Sequence, residues 1–267
     1  MSFLRQHPLI TFFVLAYALS WWFVFIDPES LFPWGPSLAA IIVVALTGGA
    51  SALKALLRRL ILWRVGWIWY AAALGIPIIV TLTSVYLNVL LGAPAPSAAD
   101  LGRFYMFFVV FPVIFLLGPL GEELGWRGFA LPRLQAGHSA FVATLILAVF
   151  YAGWHLPLFF TDLGQYAYVP LVIAASFVYT WIFNNTAGSV LLAMLLHTSQ
   201  GAMADFIFPM FSGADDVRQF WLLAGLYVVV AIVVIILAGP EHLSRRHRKV
   251  EEAAAHPAGT TEAPRVV

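Results

Sequence analysis

The sequence predicts an all-α polytopic membrane protein with about eight transmembrane helices, and three observations predict it. Of 267 residues, 62% are hydrophobic and only 10% are charged, against about 25% charged in soluble domains. The mean hydropathy is +0.90. Apolar runs recur that approach the roughly 20 residues needed to cross a bilayer. The net charge of +1 is no signature of a nucleic-acid partner, and none is expected. Cysteine is absent, which excludes disulfides, cysteine-ligated metal and cysteine-protease chemistry.

Taken in order, the first apolar run covers 8–26 and follows a single basic residue, Arg5. It is long for a signal-peptide core and reads as a retained first span. A short second span is expected near 35–50. The stretch from Ser51 to Arg64 reads as interfacial, with Lys54, Arg58 and Arg59 among leucines and Trp63, Trp67 and Trp69 at a headgroup boundary. Spans three and four fall near 66–91 and 104–131. The fourth is long, so it tilts, kinks near Pro112 or starts later. The remaining four fall near 139–160, 168–184, 187–208 and 218–238. The membrane domain is expected to occupy 1–240. A basic, disordered tail is expected over 241–267, with no soluble domain on either side.

Basic residues orient the spans. Arg5, Lys54, Arg58, Arg59, Arg64, Arg133 and the cluster Arg245, Arg246, Arg248 and Lys249 alternate with outer loops holding Asp27, Glu29, Asp100, Asp162, Asp215 and Asp216. The positive-inside rule then places both termini in the cytoplasm.

Three groups could carry chemistry. The first is Glu122, Glu123 and Arg127. A charge within a span costs roughly 3 kcal/mol or more, so such a residue marks function by default. On a helix Glu123 and Arg127 are i,i+4 partners, and Glu122 points elsewhere. The plain alternative is a polar cap where the span meets water. The second is His155, near the end of the fifth span, where an interfacial histidine is the bland reading. It also reads as somewhat too far outward to meet Glu122. The third is His197, roughly 15 Å into its span and so near mid-bilayer, with Asp205 two turns on. Glutamate and histidine together can ligate a metal or activate water. Gly121 and Gly125 form a small-xxx-small pair that reads as close helix packing. Asn184-Asn185-Thr186 fits a glycosylation sequon but falls in a short loop placed inside, and is discounted.

In order, Glu122-Glu123-x-x-x-Arg127, then Tyr151-x-x-x-His155 within Trp-His-Leu-Pro, then His197 resemble the signature of the CAAX-protease and bacteriocin-processing (CPBP, or Abi) membrane proteases. Asn184-Asn185-Thr186 ahead of Leu195-Leu196-His197 is typical of bacterial members. The resemblance covers roughly 104–208. It implies eight helices around a conical, cytoplasm-facing cavity and cleavage of a peptide or protein substrate at or within the bilayer. It implies catalytic roles for Glu122, Glu123, Arg127, His155 and His197. Zinc on Glu122, His155 and His197 is one option, and acid–base chemistry without metal is the other. Two positions depart from the pattern: Tyr151 replaces a phenylalanine, and Gly201 replaces an asparagine four residues after His197. A membrane scaffold or bacteriocin-immunity protein is therefore the alternative function. A proton-coupled transporter ranks last, because no paired broken helices suggest inverted repeats.

Overall fold

A computed structural model describes residues 2–160, 166–207 and 209–244. The side chains of Ser2 and Phe160 are outside that description. Helices lie at all eight expected positions: α1 (Pro8–Trp21), α2 (Gly35–Arg58), α3 (Trp67–Leu90), α4 (Tyr105–Leu117) with α5 (Pro119–Glu123) forming the fourth region, α6 (Ala140–Trp154), α7 (Tyr168–Asn185), α8 (Val190–Ile207) and α9 (Ala214–Ala238). Among the described residues, six stretches are long and apolar enough to cross a membrane: Pro8–Phe25, Gly35–Ile61, Trp67–Leu90, Tyr105–Gln135, Val190–Ile207 and Ala214–Ala238. The chain is a multi-pass membrane protein.

Two of the eight fall short of that standard for physical reasons. Helix α6 ends at Trp154, and Leu156–Phe160 continues as a 3₁₀ turn. Helix α7 is interior. Its buried residues include Ser176 and Thr180, so it gains little from being apolar all round. The Thr144 hydroxyl donates to Thr180 Oγ1 at 2.8 Å, tying α6 to α7.

The structure corrects three expectations about the spans. The second does not end near 50: α2 runs on to Arg58, into the segment read as interfacial. It is kinked at Gly49, whose φ of 68° and ψ of −165° suit only glycine. Trp63 and Trp67 are exposed, but Trp69 packs on Trp181 with ring centroids 4.9 Å apart. It is a packing residue rather than a headgroup anchor. The fourth region does not break at Pro112, which lies inside α4. It breaks at Gly118, with φ −105° and ψ −80°. Pro119 follows immediately, lacks a donor and restricts the residue before it.

After that break the chain forms α5 and then a π-helical stretch, Leu124–Ala130. Wide turns of this kind concentrate at functional sites. This segment packs against the start of α2 at backbone distance. A Cβ on Gly121 would lie 2.6 Å from Pro33 O, and one on Gly125 would lie 2.5 Å from the Pro36 carbonyl. The small-xxx-small pair is therefore a packing device. The Ser37 hydroxyl donates to Leu120 O across the same contact at 2.9 Å.

Polar contacts lock the two ends of the bundle. At one end Arg218 donates to Asn88 Oδ1 and Asp215 Oδ1, both at 2.6 Å, joining α3 to α9. At the other, Arg59 donates to Gly188 O at 3.2 Å. There the segment after α9 docks on α6 and α7. Ala140 N donates to Glu241 O, Asn184 to His242 O and Asn185 to Leu243 O. Asn184 and Asn185 thus clamp the chain. The tail boundary expected at 240 falls inside a packed segment in which Leu243 and Ser244 are buried. Arg245 and the residues beyond it lie outside the described residues, as does Asp162.

Candidate active site

The two adjacent glutamates point to different partners, as helical spacing requires. Glu123 and Arg127 are both fully buried. Arg127 Nη1 donates to both Glu123 oxygens, at 2.9 and 3.1 Å. Its guanidinium lies over two tyrosine rings, 4.2 Å from Tyr179 and 5.0 Å from Tyr151, and Nη2 reaches Ser176 Oγ at 3.4 Å. The ion pair, the cation–π faces and the hydroxyl compensate a charge pair taken out of water. Arg127 thereby fixes the π-helical segment against α6 and α7.

Glu122 turns toward α6. The Tyr151 hydroxyl donates to Glu122 Oε2 at 2.9 Å. One turn on, His155 Nδ1 donates to the Tyr151 carbonyl at 2.8 Å. A carbonyl only accepts, so the proton sits on Nδ1 and a neutral His155 keeps Nε2 as its acceptor. The Tyr168 hydroxyl faces that nitrogen at 3.2 Å. Glu122 and His155 are 7% and 6% exposed. His155 does not sit too far outward: Tyr151 joins it to the carboxylate through both its hydroxyl and its backbone.

His197 enters from α8, where Nδ1 lies 2.9 Å from Glu123 Oε1. Its hydrogen-bond partner is therefore Glu123, not Glu122. Glu122 remains within electrostatic range. The His197 side chain is 19% exposed, and its ring meets Tyr179 edge-on at 5.9 Å. Asp205 is exposed and is no part of this cluster. Gln200 accepts from the Tyr179 hydroxyl at 3.4 Å. At Gly201 a Cβ would lie 3.2 Å from Ile114 Cγ2, so Ile114 from α4 crowds the place where an asparagine side chain would begin.

Glu122, His155 and His197 are the residues that would hold a metal ion here. Among the described residues, no three His, Cys, Asp or Glu side chains are grouped to hold one. Both His155 nitrogens are already engaged.

Sequence reasoning missed Tyr168, Ser176 and Tyr179. The signal was present. Residues 168, 172, 176 and 179 share one helical face, and α7 carries hydroxyls where a lipid-facing helix would carry aliphatics.

Two comparisons with known proteins match the stretch that holds these residues. Residues 104–203 match the family model described as type II CAAX prenyl endopeptidase Rce1-like. CAAX prenyl protease 2 of Methanococcus maripaludis is 29% identical over 133 residues, covering 44% of this chain and 49% of that protein. The chain thus spans about half the length of this curated relative. The matched residues contain both glutamates, Arg127, His155 and His197. Over residues 104–203 the chain is similar to the Rce1-like CAAX prenyl endopeptidases.

Proposed function

We propose that the chain is a membrane-embedded endopeptidase that hydrolyses a peptide bond of a peptide or protein substrate by water activated between Glu122 and His155. The similarity to CAAX prenyl endopeptidases over residues 104–203 supports a membrane protease. The observation that carries the finer reading is the Glu122–Tyr151–His155 junction. It brings a buried carboxylate from α5 and a tautomer-fixed imidazole from the end of α6 to one place. Glu122 takes a proton from water, and the resulting hydroxide attacks the scissile carbonyl. His155 Nε2 orients that water once the Tyr168 hydroxyl gives way. The proton then passes to the departing amine as the C–N bond breaks.

Protonated beside Glu123, His197 gives Nδ1–H to that carboxylate and Nε2–H to the oxyanion, a contact whose loss typically costs about 100- to 1000-fold in rate. Arg127 and Glu123 position the segment rather than touch substrate. In this reading Glu122, His155 and His197 line a cavity that opens to the cytoplasm, and both termini lie on that side.

The test is direct. Glu122→Ala and His155→Ala each abolish cleavage while the protein still accumulates in the membrane. His197→Ala lowers kcat with less effect on KM, because oxyanion stabilisation acts in the transition state. Gly201 favours one competing reading, a catalytically silent scaffold or immunity protein that binds its peptide partner. Full retention of the cellular phenotype in both alanine variants would select it.

A further inference from the structure

We propose that the basic end of the bundle carries a binding site for an anionic phospholipid, separate from the glutamate–histidine site. Its phosphate would lie among Lys54, Arg58 and Arg59 and its acyl chain along Leu57 and Ile61. The site is a run of three adjoining depressions. An apolar groove of about 800 Å³ is lined by Leu53, Leu57 and Ile61 and bounded by Lys54 and Arg58. The same two cations line a second depression of about 450 Å³, together with Arg59 and Ala187. Arg59 and Ala187 in turn border a third, of about 460 Å³, whose wall includes Gln135, His138 and Asn184.

Charge selects the ligand. Among the described residues, no carboxylate stands within salt-bridging distance of Lys54, Arg58, Arg59 or Arg133. Arg59 has five N–H donors, of which one meets Gly188 O while the guanidinium stacks 5.4 Å over Phe183. Gly188 permits this approach: its φ is +78°, and a Cβ there would fall on Arg59 Nη1. Glu241 lines the third depression and leaves the run cationic.

Position and shape select a lipid over a free ion. Trp63 and Trp67 are exposed beside the cations, and interfacial tryptophans mark headgroup level. Basic pockets between transmembrane helices at that level bind anionic headgroups. Leu57 and Ile61 are exposed on the same face and offer apolar surface continuous with the cations. A free phosphate would use only the basic part.

The test is native mass spectrometry of the full chain released from nanodiscs of equal phosphatidylglycerol and phosphatidylcholine. The expected result is a single retained phosphatidylglycerol in roughly tenfold excess over phosphatidylcholine. The exposed pair variant Lys54→Gln/Arg58→Gln removes the preference without touching the packed Arg59. Arg64→Gln, an exposed cation outside the groove, leaves it intact. Equal retention of the two lipids overturns the proposal. So does an equal loss in Arg64→Gln, which would reduce the effect to general surface charge. Displacement of the lipid by millimolar inorganic phosphate would assign the cations to a free anion and also overturn it.

Discussion

Tyr151 is the residue on which the candidate site turns. Its hydroxyl orients Glu122, its carbonyl orients His155, and its ring lies beneath Arg127. The signature that the sequence resembles has phenylalanine here, so the hydroxyl is the part in which this chain departs from it. A hydrogen bond to a charged group contributes about 1.5–3 kcal/mol. Tyr151→Phe keeps the packing but removes that donor from Glu122, and is expected to slow cleavage by roughly tenfold and to lower the melting temperature by a few degrees. A steady-state assay beside a thermal melt checks both. Tyr168 differs: its hydroxyl meets His155 Nε2 and, among the described residues, bonds to no carboxylate.

At the scale of elements, the segment from Gly118 to Ala130 does most to build the site. A break, a short α-helix and a π-helical turn place Glu122 and Glu123 toward different neighbours. The sequence showed part of this. The i,i+4 pairing of Glu123 with Arg127 was legible because it needs only helical spacing, and close packing at Gly121 and Gly125 was legible for the same reason. The site of the break was not, since Pro112 and Pro119 compete and only tertiary packing decides between them. The partner of His197 was hidden too, because α8 approaches Glu123 through a long-range contact that no local pattern encodes. Gly201 shows the same limit. Sequence alone suggests that restoring asparagine there raises activity. In the structure Ile114 is in the way, so Gly201→Asn alone is expected to destabilise by about 1–3 kcal/mol through overpacking. Gly201→Asn with Ile114→Ala is expected to restore stability and raise the cleavage rate above wild type. Melting temperature and rate, measured on both variants, separate the two effects.

For the whole molecule, the ends of the bundle are chemically unlike. Arg59, the Asn184–Gly188 turn and the segment after α9 meet at one end, and Asn88, Asp215 and Arg218 meet at another polar junction. The number and order of helices were legible because apolar runs are dense in the sequence. The interior position of α7 was not, since burial inside protein and burial in lipid call for similar residues. The orientation proposed above has a simple check, because the chain lacks cysteine. Glu29→Cys and Ala95→Cys are expected to react with an impermeant thiol reagent from outside the cell, and Gly137→Cys only after permeabilisation. Gly137 is exposed with open space at its Cβ position, which makes it a better reporter than the buried Ser244. The central claim is hydrolysis by water activated at Glu122, and one measurement tests it most directly. Membranes from cells expressing wild type or Glu122→Gln are incubated in H₂¹⁸O, and new peptide C-termini are read by mass spectrometry. The account predicts ¹⁸O-labelled C-termini in wild type that are absent from Glu122→Gln at equal protein level. The same labelled termini in both membranes would contradict it.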